Sequence, residues 1–117
     1  MATRKRELMG LYRLHGRRAV PCKDYLQWAM AFERSKRQVA DDTVGKIRLS
    51  TVFLGIDHNH FGKGPPLLFE TMIFGGPREG IVGRWSTWEE ALEMHQAVLR
   101  SDISKRVDAS TISSGRV

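Results

Sequence analysis

An α+β fold, with a small antiparallel sheet of three or four strands covered by two amphipathic helices, is predicted by three observations. Residues 46–74, KIRLSTVFLGIDHNHFGKGPPLLFETMIF, read as two strongly apolar strands joined by a polar turn containing Gly and Pro. Residues 22–38 place Tyr25, Trp28, Ala29 and Phe32 at i, i+3, i+4 and i+7, the stripe of a helix that lies on a sheet. Residues 86–90, STWEE, set hydroxyls three positions ahead of carboxylates, as a capping box does at the start of a second helix.

The 117 residues suit one domain, long enough to bury about two thirds of its unfolded surface and to fold without metal or disulfide staples. The expected organisation is a basic, flexible arm over residues 1–10, a single domain over 11–100 and a polar, disordered tail over 101–117. Cys22 is the only cysteine, which excludes an intramolecular disulfide. No secretory apolar region and no run of about 20 apolar residues is present, so a cytoplasmic protein with no membrane association is expected.

In order, residues 11–20, LYRLHGRRAV, hold short apolar pairs around Gly16, compatible with a hairpin. Pro21 suits the first turn of the helix that follows, and Asp24 suits its positive dipole end. That helix is expected from Cys22 to about Gln38, with Arg34, Lys36 and Arg37 at its negative end. Residues 41–45, DDTVG, read as a turn. Residues 47–57 follow as a strand that is apolar first on one face and then on the other, which marks a central position. Gly55 near its end marks a bulge or a close approach to the backbone. Residues 60–66 form a loop, and residues 67–74 resume as a strand in which Glu70 lies on an otherwise apolar face. A carboxylate there needs a partner. A short strand over 81–85 precedes the last helix, which is expected to reach about Arg100 with Trp88, Ala91, Leu92, His95, Val98 and Leu99 on its apolar stripe.

The densest chemistry is Asp57, His58, Asn59 and His60. The contiguous letters HNH are not the nuclease motif, whose residues are spread over a ββα element. Asp57, His58 and His60, alone or with Glu70 or His95, offer nitrogen and oxygen ligands suited to zinc or manganese, and a metal-dependent hydrolase built on them is the enzymatic alternative. With no paired cysteines and no H-x-x-x-H helix pair, no metal and no other cofactor is expected. The structural alternative has Asp57 or Asn59 closing a loop onto the backbone, Glu70 paired with Arg84 or Arg48, His95 as a satisfied core histidine, and Trp85 and Trp88 as packing. A P-loop, a G-x-S-x-G elbow and a G-x-G-x-x-G fingerprint are absent, so no catalytic residue is assigned and a non-enzymatic protein is expected.

Charge directs attention to an anionic partner: 19 Lys and Arg face 13 Asp and Glu, a net charge of +6 with a pI near 10.0. Arg4, Lys5, Arg6, Arg13, Arg17 and Arg18 oppose only Glu7 in the first eighteen residues. The expected binding rim comprises Asp57, His58, His60, Glu70, Arg84 and Trp85. For a nucleotide, Arg84 and Arg48 would pair with phosphate, Trp85 or Phe61 would stack on the base, and His58 or His60 would bond its edge.

Three blocks, AVPCKDYLQWAMAFE (19–33), LSTVFLGIDHNHFGKGPPLLFETMIFGG (49–76) and RWSTWEEALEMHQ (84–96), cover well over half of the chain. In these blocks the sequence resembles a family of small bacteriophage and prophage proteins. The resemblance implies a phage-type origin and action in the cytoplasm of an infected bacterium, and it carries no activity over. The longer basic start and the serine-rich end depart from the family. The functional expectation is an accessory protein that counters host defence by binding a nucleotide signal or a defence component. The alternative is an adaptor or inhibitor that docks on nucleic acid or on a host or phage macromolecule, with self-association left open.

Overall fold

Gly16 and Arg17 turn the chain between two short strands, β1 (Tyr12–His15) and β2 (Arg18–Pro21), which pair antiparallel as a separate two-stranded ribbon. The hairpin over residues 11–20 is therefore real, although Pro21 closes β2 and does not open the helix. The computed structural model that gives this geometry describes residues 10–103. The arm over 1–9 and the tail from 104 onward lie outside the described residues.

Helix α1 (Tyr25–Arg34) starts three residues later than its pattern suggested, because Asp24 caps it: the carboxylate accepts the Gln27 N–H at 3.0 Å. It ends four residues early. Ser35 is extended, and both its N–H and its hydroxyl bond back to the Phe32 carbonyl, closing the last turn and releasing the chain into a strand. That strand, β3 (Gln38–Val44), is the main departure from the sequence reading, which made residues 41–45 a turn. Two adjacent aspartates are poor strand formers, but each finds a cation or imidazole donor here: Asp41 pairs with Arg48 and Asp42 with His95. Only Gly45 and Lys46 turn, and β4 (Ile47–Phe53) returns alongside.

β5 (Phe69–Phe74) and β6 (Gly80–Trp85) complete one four-stranded antiparallel sheet in the order β3-β4-β5-β6. β4 is central, as its composition requires. It is shorter than the 47–57 segment because Gly55 breaks it. With φ of +78° and a hypothetical Cβ only 2.6 Å from the Phe32 ring, position 55 admits no side chain. Its carbonyl accepts both the Tyr12 N–H and the Trp28 indole N–H, so the backbone here is the seam between the ribbon, α1 and the sheet.

Register divides the sheet into two faces. Ala40, Asp42, Leu49, Thr51, Phe53, Phe69, Thr71, Ile73 and Trp85 share the inner face, and α2 (Trp88–Val98) packs across all four strands there. Phe53, Leu68, Phe69 and Ala91 form the core beneath it, with Tyr12, Leu14 and Ala19 of the ribbon and Phe32 of α1 closing the side. A π-helical turn (Leu99–Ile103) extends α2 beyond its expected end, and Ile103, read as part of the polar tail over 101–117, is 1% exposed against Leu49 and Ile73. The outer face carries Asp41, Arg48, Ser50, Val52, Glu70, Met72 and Arg84. No helix among the described residues is long and apolar enough to cross a membrane.

Candidate functional site

The six residues expected to share one rim fall in three different places. Asp57, His58 and His60 lie in the loop between β4 and β5; Glu70 and Arg84 lie on the outer face; Trp85 lies on the inner face. Neighbours on one strand point to opposite sides of a sheet, so Arg84 and Trp85 diverge: Arg84 stands opposite Glu70 and Trp85 opposite Phe69.

In the loop the polar side chains hold the loop itself. Asp57 Oδ1 accepts the N–H groups of Asn59 (2.8 Å) and Leu67 (2.9 Å), tying together the two ends. Asn59 fills the interior: its Oδ1 accepts the Phe61 N–H, and its Nδ2 donates to the carbonyls of Lys63 (2.6 Å) and Pro65 (2.9 Å). The His58 Nδ1–H donates to the Ile56 carbonyl at 2.8 Å, and the rings of His58 and His60 are 6.2 Å apart. Asp57 faces backbone amides and not the histidines, and among the described residues no three His, Cys, Asp or Glu side chains converge to hold a metal ion. The product of this scaffolding is a phenyl ring held out at the tip, since Phe61 is 90% exposed.

On the outer face, Glu70 is bonded by the Arg84 Nε–H at 3.0 Å, and Arg48 makes a two-pronged pair with Asp41 at 2.9 and 2.8 Å. The Arg48 guanidinium holds the Asp41 carboxyl below its ordinary value, chiefly through these hydrogen bonds. The two arginines assigned to phosphate are thus engaged by acids of the sheet.

Trp85 begins a buried polar relay. Its indole N–H donates to Thr71 Oγ1 (2.9 Å), Thr71 meets Thr51 (2.6 Å), Thr51 meets His95 Nδ1 (2.8 Å), and His95 Nε2 meets Asp42 (2.8 Å). An indole can only donate and a carboxylate can only accept. The arrangement that satisfies every proton runs one way, from Trp85 through both hydroxyls and a His95 protonated at Nε2 to Asp42. Thr51, His95 and Asp42 look like a nucleophilic triad in outline, but Thr51, Thr71 and His95 are wholly buried and no substrate can reach the hydroxyl. The relay is structural.

A concave site does exist, in a place the sequence reading passed over. A cleft of about 390 Å³ opens between the ribbon and the start of α2, lined by residues that include Arg17, Arg18, Ala19, Leu68, Trp88 and Glu89. The capping box builds one wall: Thr87 Oγ1 accepts the Glu90 N–H at 3.1 Å, and Glu90 reaches back to the Ser86 N–H at 2.9 Å. This fixes the first turn of α2 and with it Trp88, whose ring packs on Phe69 on one side and carries the Arg17 guanidinium 5.6 Å from its centroid. The floor is apolar, Leu68 being in the core. Among the described residues no carboxylate pairs with Arg17 or Arg18.

No family model, curated protein or solved structure matches the chain. Function must therefore be argued from the cleft. An aromatic wall, an apolar floor and two guanidinium groups with no paired carboxylate among the described residues suit a planar ring joined to an anion, with Glu89 as an acceptor for a hydroxyl. The sequence signal for this site was the excess of Arg17 and Arg18 beside Gly16; what it could not supply was the fold that brings residues 17 and 88 together.

Proposed function

We propose that this is a non-enzymatic binding protein for a nucleotide, held in the cleft between the β1–β2 ribbon and the N-terminal turn of α2. The observation that carries the reading is Arg17 over Trp88 at the mouth of an apolar cleft, with Arg18 beside it and, among the described residues, no carboxylate paired with either. The base lies on the apolar floor of Leu68 and Ala19 beside Trp88, whose ring Arg17 covers, and the phosphate meets Arg17 and Arg18. The resemblance to small phage proteins supports an infected bacterial cytoplasm as the setting we propose, where sequestering a signalling nucleotide would blunt a host defence. Calorimetric titration with a panel of adenine and guanine nucleotides, including cyclic and NAD-derived ones, tests this. Micromolar binding that falls at least tenfold in Arg17→Ala and in Trp88→Leu supports it; absence of binding across the panel refutes it.

One observation favours a second reading, docking on a protein. Phe61 is an exposed aromatic on a loop pinned by Asn59, so its position is set before any partner arrives, which lowers the entropy cost of using it as an anchor. On this reading Phe61→Ala abolishes activity in infected cells while leaving nucleotide affinity intact.

A further inference from the structure

We infer that the outer face of the four-stranded sheet is a docking surface for a second copy of this chain. No helix among the described residues packs across that face: α2 lies on the inner side and α1 against β1. Register builds an apolar patch there. Thr71 pairs with Gly83 and Met72 with Ile81, which leaves Val82 as the extra residue of a β-bulge. Gly83 stands opposite inner-face Thr71 and Gly80 opposite inner-face Ile73, so the two residues between them, Ile81 and Val82, both turn outward. A regular strand would send one of the two inward. Beside them on β5 stand Met72 and Phe74, and of this group Ile81, Val82 and Phe74 are 54%, 39% and 38% exposed.

Charge selects the occupant. The patch is framed by two closed ion pairs, Asp41 with Arg48 and Glu70 with Arg84, so these four groups sum to zero on a chain of net charge +6. Two such chains repel least where acids and bases already cancel, and a nucleic acid finds both arginines of this face already held. Size sets the strength. Four strands about 4.8 Å apart and about six residues long give a footprint of roughly 400 Å². That is less than the about 800 Å² per partner of a standard complex, so the dimer is weak, dissociating in the tens of micromolar. None of the outer-face residues lines the cleft, so pairing through this face leaves both clefts open.

Sedimentation equilibrium of the full chain from about 5 to about 500 µM tests this, and a monomer to dimer equilibrium is expected. It should tighten as salt is raised, because salt screens the repulsion between two +6 chains and leaves the apolar contact in place. Ile81→Glu, an exposed change, is expected to weaken the dimer at least tenfold. Met72→Lys should do the same, and it separates this face from a dimer joined edge to edge through β6, which Met72 on β5 would not touch. Leu26→Glu, on the exposed side of α1, should leave the equilibrium unchanged. Amide shifts of the parent on dilution should move at 48–52, 70–74 and 81–84, a readout that needs no variant to fold. A chain that stays monomeric over the whole range overturns the inference. So does a dimer that loosens with salt, one that survives Ile81→Glu or Met72→Lys, one that Leu26→Glu abolishes, or dilution shifts confined to other residues.

Discussion

The loop over residues 57–66 and the cleft behind the ribbon meet at Pro66, which lines the cleft, yet they use polar side chains in opposite ways. The loop gathers the residue types that chemistry favours, and most of their hydrogen-bonding capacity is absorbed by its own backbone through Asp57, Asn59 and His58. The cleft is made from an ordinary hairpin and a helix cap, and among the described residues its arginines have no paired carboxylate. Residue identity therefore says less about a site than whether the capacity of the side chain has already been claimed.

The largest expected effect sharpens this contrast from the core side. His95→Ala should destabilise the fold by about 3 kcal/mol or more, since it opens a cavity and strips partners from Thr51 and Asp42; thermal and denaturant unfolding would measure it. Thr51→Val should cost less, about 1–3 kcal/mol, because shape is kept while Thr71 and His95 lose a partner. At the cleft, Arg17→Ala with Arg18→Ala should leave unfolding free energy within about 0.5 kcal/mol of the parent and abolish nucleotide binding. An unchanged affinity would erase the proposed division between the two regions. Asn59→Ala should cost about 1–2 kcal/mol, releasing amide exchange in residues 61–65 while cleft affinity stays within twofold. Loss of binding in that variant would return the site to the loop. The smallest effect belongs to Asp41→Asn. Because the Asp41 carboxyl is held below its ordinary 3.8, the pair with Arg48 stabilises the fold above that pH, and the contribution disappears as pH falls through the lower folded value. The variant and the parent should therefore converge in stability as solutions are acidified, with only a slight gap at neutrality for so exposed a pair.

Much of the fold was legible because apolar periodicity survives in the sequence: the hairpin of β4 and β5, the stripe of α1, the cap of α2 and the special place of Gly55 could all be read. β3 was not, because strand propensity penalises Asp41 and Asp42, and only tertiary partners at positions 48 and 95 make those residues acceptable in a ladder. Ile103 was likewise hidden behind a polar surround. For the site, the sequence singled out the right kinds of residue and the wrong grouping. Alternation along β6 already separates Arg84 from Trp85, but nothing local says that Arg17 will lie over Trp88.

The relay from Trp85 to Asp42 also acts as a check on assembly. Each of the four strands contributes one polar side chain to the inner face, and each contributes at a single position. If β5 slid by one residue against β4, Thr71 would pass to the outer face and both the Trp85 indole and the Thr51 hydroxyl would be buried without it. Apolar side chains tolerate such a slip far better, since one greasy contact can replace another. A chain of donors and acceptors with a fixed direction is not rethreaded so cheaply, and in the observed register no buried side-chain donor or acceptor among the described residues is left without a partner.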